Sequence, residues 1–460
     1  MSGTGLQQAR ERMRGAGVPE LAIDVFAHYY GQLESGASGM IPEADIEPLA
    51  DPPRLAELDI GSDASREALG ATAIIKLNGG LGTSMGMDRA KSLLPVRDDL
   101  TFLDLIVRQV LHTRRAYAVR LPLVLMDSFR TRDDTREALR AYDELVVDDL
   151  PLYFLQNREP KLRADDLMPV SWPADPSLEW CPPGHGDLYT ALEVSGVLAR
   201  LLDAGFRYAS VSNSDNLGAA PDPLIAGWFA GSGAPYAAEV CRRTTADRKG
   251  GHLAVNRSDG RLILRETAQT AQEDVAAMSD ITRHRYFHTN NLWFDLHLLA
   301  DTLRQREGVL GLPLIRNLKT VDPADPSSPQ VVQIETAMGA AIKVFEGALA
   351  LEVDRSRFVP VKTTNDLLVL RSDVYSAGPE AQLRRRSVDV PLVDLDPKHY
   401  KTIDAFEHRF PAGPPSLVAA RSLTVRGDWT FGARVTVEGE AQLDDPGTPS
   451  RVPEGVTLGE

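Results

Sequence analysis

The segment LNGGLGTSMGMDRAKSLLPV, from Leu77 to Val96, follows an apolar run from Ala71 to Ile75, and this pairing restricts the folds open to the chain. The apolar run reads as a buried strand. Glycines stand at 79, 80, 82 and 86, and a lysine follows at 91. Glycine admits positive φ and lets a ligand approach where a Cβ would block it. Such a loop leaving a strand, with its N–H groups turned inward, is a cradle for phosphate. Lys91, Ser92 and the apolar Leu93-Leu94 are expected to return the chain to the sheet. A generic tight turn with incidental glycines is the plainer reading of the loop alone. Neither common phosphate loop fits. A Walker loop needs Gly-Lys-Ser/Thr contiguous, whereas Gly86 precedes Lys91 by five positions. The dinucleotide fingerprint needs G-x-G-x-x-G, and Gly80, Gly82 and Gly86 leave one residue too many.

The 460 residues suffice for two or three domains. Fifty basic against 65 acidic residues give a net charge of −15. That balance disfavours nucleic acid, whose binding rests on a basic patch. It also repels free nucleotides at long range. Anionic substrates therefore require cations concentrated in one cleft. No apolar run reaches the ~18 residues of a membrane span, and the first residues lack the apolar core of a signal peptide. Cytoplasm is the expected compartment. Cys181 and Cys241 are the two cysteines, and neither a disulfide framework nor a nucleophile is expected of them.

Three segments are expected. Residues 1–70 read as a helical N-terminal leader, with helices over Leu6–Arg14 and Val18–Leu33, the second carrying Val25, Phe26, Tyr29 and Tyr30 on one side. Residues 71–385 alternate apolar strands (121–126, 150–156, 208–213, 236–240) with helical stretches. This predicts an α/β domain with a mostly parallel, doubly wound sheet whose binding crevice lies at the strands' carboxyl ends. In 386–460, Val425, Phe431, Val437 and Leu443 recur six apart, as do Val452 and Leu458. A six-residue period predicts coils of a left-handed β-helix, with a pair of antiparallel hairpins as the alternative.

Several strand-end motifs carry candidate chemistry. In CPPGHGDLYTAL (181–192), His185 stands in a constrained turn, either exposed or donating to a phosphate or sugar oxygen. In NSDNLGA (213–219), Asp215 is either a helix cap or a ligand for Mg²⁺, which takes few protein carboxylates and keeps waters. Lys249, beside Gly250-Gly251, is a solvated turn lysine or a sugar-facing one. Asp133 and Asp134 suit capping of a helix start. VVQIETAMGAAI (331–342) offers Glu335, and SRFVPVKTTNDLLVL (356–370) is expected to end a strand with Lys362. His284 and His288 have a spacing that can bind zinc on a helix, but HRYFHTNNLW reads as strand and offers no third ligand.

The GG-x-GT loop followed by Lys91 resembles the signature of sugar nucleotidyltransferases. Leu77-Asn78 and KSLLPVRDDLTFLDL narrow the resemblance to the UTP–glucose-1-phosphate uridylyltransferase (UDP-glucose pyrophosphorylase) family of eukaryotic type. DSFRTRDDT, PPGHGD, ADRKGG, FHTNNLW and QIETAMG follow in the family's order. The resemblance implies a nucleotidyltransferase-like α/β fold with a C-terminal left-handed β-helix. It implies transfer of uridylyl from UTP to α-D-glucose 1-phosphate, giving UDP-glucose and pyrophosphate, with Mg²⁺ as cofactor on Asp215. Lys91 and Lys362 are the implied catalytic cations. In several relatives of this fold a second metal-binding carboxylate occupies the place of Lys362. Leu77, Asn78, Gly79, Gly80, Gln156, Gly184, Asn213, Ser214 and Asp215 would hold the nucleotide. His185, Asn290, Glu335 and Lys249 would face the sugar phosphate. The alternatives are a broader pocket taking other hexose 1-phosphates, and a silent sugar-nucleotide-binding protein. Members that build large rings use the C-terminal domain for contacts; the resemblance extends a homo-oligomer of that kind to this chain, an assembly that the short tail puts in doubt. The sequence departs from the family at Asp88-Arg89-Ala90, where many members have Gly-Pro, and at Pro160-Lys161, where Pro-Arg is usual.

Overall fold

A computed structural model describes residues 2–244, 247–248, 250–378 and 380–459. Its centre is a ten-stranded sheet. In order run Ile46–Pro48, His252–Asn256, Tyr286–Asp295, Tyr208–Asn213, Thr72–Asn78, Leu123–Asp127 and Tyr153–Leu155; Tyr236–Arg242, Leu262–Arg265 and Leu349–Glu352 branch from this path. The last four strands of the ordered path are parallel. Registers Asn213↔Leu77, Asn78↔Asp127 and Asp127↔Leu155 align their carboxyl ends, so the residues that follow form one rim.

The Thr72–Asn78 strand is apolar on both faces because both are covered. Ile74 packs into one core, with Phe102, Ile106 and Val110 of the Phe102–Tyr117 helix. Ala73 and Ile75 face the other, with Ile23, Phe26 and Tyr30 of the Glu20–Glu34 helix and Leu188 and Leu192 of the Leu188–Val194 helix. The leader thus completes a core layer, and Ile46–Pro48 adds a strand to the sheet. Two helices form where the leader pattern places them, at Ser2–Gly15 and Glu20–Glu34.

Three local expectations are corrected. Leu93-Leu94 do not lead back to the central sheet. Pro95–Arg97 pairs instead with Leu100–Thr101 as a separate hairpin. Asp98 and Asp99 both take positive φ (49° and 61°), the geometry of a two-residue primed turn. This sends the chain directly into the Phe102–Tyr117 helix, whose start is closed by a Thr101/Asp104 capping box. Asp133 and Asp134 lie in the first turn of Arg132–Leu139 rather than at its cap, which is Thr131. Asp134 Oδ2 instead accepts from the Ala90 N–H (3.2 Å) and ties the glycine loop down. Lys362 does not end a strand: it lies on extended chain just before the Thr364–Arg371 helix, its N–H bonded to Asp366.

The C-terminal strands Leu392–Leu395, Ser416–Val425, Thr436–Leu443 and Thr457–Leu458 pair in parallel, and Trp429–Phe431 pairs in parallel with Ser450–Val452. Val425, Phe431, Val437 and Val452 are buried along this stack, and Phe410 closes against Phe431 with ring centroids 4.8 Å apart. Among the described residues no helix is long and apolar enough to cross a membrane.

Candidate active site

The rim begins at Asn78, whose Nδ2 donates to Asp127 Oδ1 (2.7 Å) and Thr135 Oγ1 (2.8 Å) across the neighbouring strand end. The side chain is spent on fixing the loop's root, and Leu77 serves through its carbonyl, which accepts from Ser214 N (3.0 Å). Gly82 and Gly86 both take positive φ (66° and 74°), and Lys91 N closes the loop on Gly80 O (3.0 Å). This closure swings the Lys91 side chain over the sheet's rim. Lys91 Nζ meets Asp215 Oδ2 at 2.5 Å and also donates to the Val361 carbonyl. Val361 N returns to Asp215 O (3.3 Å). The loop cation, the strand-end carboxylate and the segment leading to Lys362 therefore meet at one point.

A second wall comes from Gln156 and Gly184. Gln156 Nε2 donates to Gly184 O (2.7 Å). Gly79 lies against the same amide, where a Cβ would sit 3.0 Å from Gln156 Oε1. Gly184 has φ 76°, and a Cβ there would meet Thr336 O at 2.6 Å. Gly186 N donates to Thr336 O (2.8 Å) and Thr336 N to Pro183 O (3.0 Å), so the Pro183–Gly186 turn docks flat on the chain after Glu335. Only glycine permits that approach.

This docking sets the state of His185. The Met338 N–H donates to its Nδ1 (3.0 Å), so the neutral ring carries its proton on Nε2 and offers a donor there. Burial pushes its pKa down to about 4. Glu335, at the end of Gln330–Glu335, accepts from Asn317 Nδ2 (2.9 Å). Asn290 Nδ2 donates to Asn213 Oδ1 (3.1 Å). Asn290 itself has φ 62° at a break in register, where Ala238 faces Leu292 but Val240 faces His288. A bulge of this kind re-aims a side chain out of a regular sheet. Bonds and close contacts thus join Ser214 to Leu77, Asn290 to Asn213, and Gly79 to Gln156 and Gly184. Lys249 lies outside the described residues.

Glu266 is not singled out by any motif in the sequence. It follows the Leu262–Arg265 strand, and its carboxylate faces Gly251, where a Cβ would approach Oε2 to 2.6 Å. Burial raises its pKa, and the charge of Lys362 opposes that rise. Its position at a strand end was the available signal. Lys161 is turned away: its Nζ donates to Val321 O (2.9 Å). Cys181 and Cys241 are buried, with burial raising both thiol pKa values, that of Cys241 to about 12. The His284 ring bonds Glu43 Oε1 (3.0 Å) and packs on His252. Among the described residues no three His, Cys, Asp or Glu side chains are grouped to hold a metal ion.

A glycine-rich loop off a central parallel strand, closed by a lysine that reaches a strand-end carboxylate, defines a nucleotide-binding α/β protein of the transferase kind. Residues 23–438 match the family model of UTP–glucose-1-phosphate uridylyltransferase, and the chain belongs to that family. A probable UTP–glucose-1-phosphate uridylyltransferase of Schizosaccharomyces pombe is 38% identical over 424 residues, covering 91% of this chain and 81% of the relative. The Hordeum vulgare enzyme of that name is 38% identical over 401 residues, 86% and 82% of the two chains. Among solved structures, UDP-glucose phosphorylase from Trypanosoma brucei superposes with TM-score 0.91 at 42% identity over 99% of this chain and 98% of that one. A mutant UDP-glucose pyrophosphorylase from Leishmania major in complex with UDP-Glc gives TM-score 0.92 at 42% identity, with the same coverage.

Proposed function

We propose that the chain transfers uridylyl from UTP to α-D-glucose 1-phosphate, releasing pyrophosphate and UDP-glucose. The observation that carries this reading is the convergence of Lys91, Asp215 and the Val361-Lys362 segment at the glycine loop, in a chain that belongs to this family. A phosphate oxygen of the sugar phosphate attacks the α-phosphorus of UTP in line with the departing pyrophosphate. The nucleophile is already ionised near neutral pH, so no general base is required. The protein positions the reactants and neutralises charge. Lys91 neutralises the α-phosphate and the leaving group; Lys362 does so from the facing segment. Gln156, Gly79, Gly80 and Gly184 line the uracil side and shut out larger purines; the close approach of Gly79 to Gln156 supports their grouping. His185 presents Nε2–H to the sugar phosphate. Asn290, Glu266 and Glu335 supply hydroxyl partners for the hexose, a role the family resemblance also gives Lys249, and Asn213 serves the nucleotide.

One carboxylate on a strand end suits Mg²⁺, which takes oxygen ligands and completes its shell with phosphates and water. Asp215 would hold it; among the described residues only its Oδ2 is bonded, to Lys91. A bound Mg²⁺ would add charge neutralisation on the phosphates. We also read the chain as three parts, 1–70, 71–385 and 386–460, and the parallel C-terminal strands with their six-residue spacing support coils of a left-handed β-helix in the last. Pyrophosphate release measured across UTP, ATP and dTTP with glucose, galactose and N-acetylglucosamine 1-phosphates tests the function. Turnover is expected with UTP and glucose 1-phosphate, and its absence overturns the assignment.

A further inference from the structure

Behind the site lies a charged pair that the reaction does not use directly. Glu239, on the Tyr236–Arg242 strand, is 1% exposed. Its two oxygens accept Arg357 Nε (2.7 Å) and Nη2 (2.8 Å) as a fork. The same carboxylate accepts Trp293 Nε1 (3.0 Å) and Asn291 Nδ2 (3.1 Å). All four donors point at one buried group, and Arg357 holds it ionised, its pKa kept low against the cost of burial. Asp222 stands 3.7 Å from the guanidinium, and the Lys76 ammonium bonds the nearby Ser212 and Ala219.

Three arms of the site meet beside this pair, joined to the backbone of its two residues and to one another. The Arg357 carbonyl accepts Asn216 Nδ2 (3.1 Å) and Asn291 Nδ2 (3.2 Å), and Asn216 Nδ2 also reaches Asn291 Oδ1 (3.1 Å). Asn216 Oδ1 accepts Val359 N (2.8 Å). Asn216 adjoins Asp215, Asn291 adjoins Asn290, and Val359 lies three residues before Lys362. Thr289 Oγ1 fastens the bulge to Glu239 O (2.7 Å). The turn at Gly218 lies so close to the Ser356 carbonyl that a Cβ would sit 2.3 Å away, leaving no slack between the arms.

We propose that the buried Glu239–Arg357 pair is a positioning device for transfer, which holds the Asp215 turn, the Asn290 bulge and the Lys362 segment in one register. Neither residue touches substrate in this account, so neither is catalytic. A buried ion pair is weak support for stability, since apolar residues of similar volume often replace it without loss. What apolar residues cannot reproduce is the set of directional bonds by which the carboxylate holds the Arg357 segment and the Asn291 strand, to which Asn216 of the Asp215 turn is bonded in its turn. The reading rests on the transferase assignment above.

The test compares wild type with E239Q, R357K and the double variant E239M/R357M. Each is measured for melting temperature, kcat, KM for UTP, and Mg²⁺ concentration dependence. Single variants are expected to lose about 10- to 100-fold in kcat, with KM for UTP within about threefold, the range of a displaced electrostatic stabiliser. The double variant is expected to regain melting temperature but not kcat. Recovery of kcat together with melting temperature overturns the proposal, as does a change in KM alone. Hydrogen exchange reads positioning without reference to turnover: residues 213–219, 288–292 and 357–362 should exchange faster together in E239Q while the rest of the sheet stays protected. Unchanged exchange in these segments overturns the proposal even if wild type proves inactive with UTP, a result that would separately remove the functional assignment. If the charged-pair variants fail to fold, W293F removes one bond to Glu239 and should give the same pattern in weaker form.

Discussion

Lys91 Nζ lies 2.5 Å from Asp215 Oδ2, with the two side chains only 15% and 19% exposed. A cation and an anion 124 positions apart in sequence thus neutralise each other at the glycine loop. Phosphates that reach Lys91 must compete with Asp215 for its ammonium. Interactions made more strongly in the transition state than in the ground state raise kcat rather than lower KM. Lys91→Ala is therefore expected to lower kcat by more than about 100-fold, the cost of losing one electrostatic stabiliser. Steady-state kinetics with a thermal melt check this; a rise in KM alone would make Lys91 a binding residue.

Asp215→Ala is expected to abolish Mg²⁺-dependent turnover while the protein still folds. Removing the carboxylate frees the Lys91 ammonium, so UTP binding should persist or tighten. Calorimetric titration with UTP and rate measurement across Mg²⁺ concentrations separate the two effects. Near-normal turnover in Mg²⁺ would remove Asp215 from the metal-binding role.

Lys362 faces Glu266 from an exposed stretch of chain, held at its N–H by Asp366 rather than by a strand. It is less confined than Lys91. Lys362→Ala should lower kcat less than Lys91→Ala does, by about 10-fold or more on the same scale. The paired kinetic comparison decides it, and an equal or larger loss at Lys362 would reverse the order of importance.

Much of the rim was legible because it is local. Apolar runs predicted the parallel strands, and the residues after them, from Gly79-Gly80 to Gln156 and Ser214-Asp215, fall on one edge as the α/β pattern requires. Three features escaped for physical reasons. The Asp98-Asp99 turn lacks the Asn-Gly or Asp-Gly pair that announces a primed hairpin. Glu266 comes within the electrostatic reach of Lys362 only in three dimensions. The Glu239–Arg357 fork spans 118 positions, and no periodicity encodes such a pairing.

Base selection should depend on how tightly Gly79 lies on Gln156. A Cβ at 79 would press on Gln156 Oε1 at 3.0 Å and push the amide off Gly184 O. Gly79→Ala is expected to lower kcat/KM for UTP by about 10-fold or more while ATP stays poor, because sites built on hydrogen bonds discriminate strongly. Competition between UTP and ATP measures it. Unchanged selectivity and rate would place the uracil elsewhere.

His185 should remain neutral throughout the working range. Burial takes its pKa down to about 4, and Met338 N–H fixes the Nε2–H tautomer. Ring nitrogen NMR from pH 5.5 to 8 is expected to show one neutral tautomer and no titration. An imidazolium signal at pH 6.5 would mean that the ring is charged at the phosphate.

Asp127 offers a prediction about stability. It is fully buried beneath the glycine loop, with Oδ1 accepting Asn78 Nδ2 and Oδ2 without a hydrogen-bond partner among the described residues. Burial pushes its pKa up to about 7 from 3.8, against the pull of its bonds from Asn78 and Thr135. Between these values the folded chain keeps a proton that the unfolded chain has lost. Folding stability from this group is therefore complete below about pH 4 and declines as pH rises toward 7. Asp127→Asn keeps the acceptor for Asn78 and removes the titration. The variant's stability relative to wild type should thus improve from pH 5 to pH 7 by up to about 2 kcal/mol, at ~1.4 kcal/mol per pH unit, and level off above. Urea unfolding of both proteins across this range measures the difference. A difference that does not change with pH would show that Asp127 is ionised in the folded protein, with its charge met by the groups at the root of the phosphate loop.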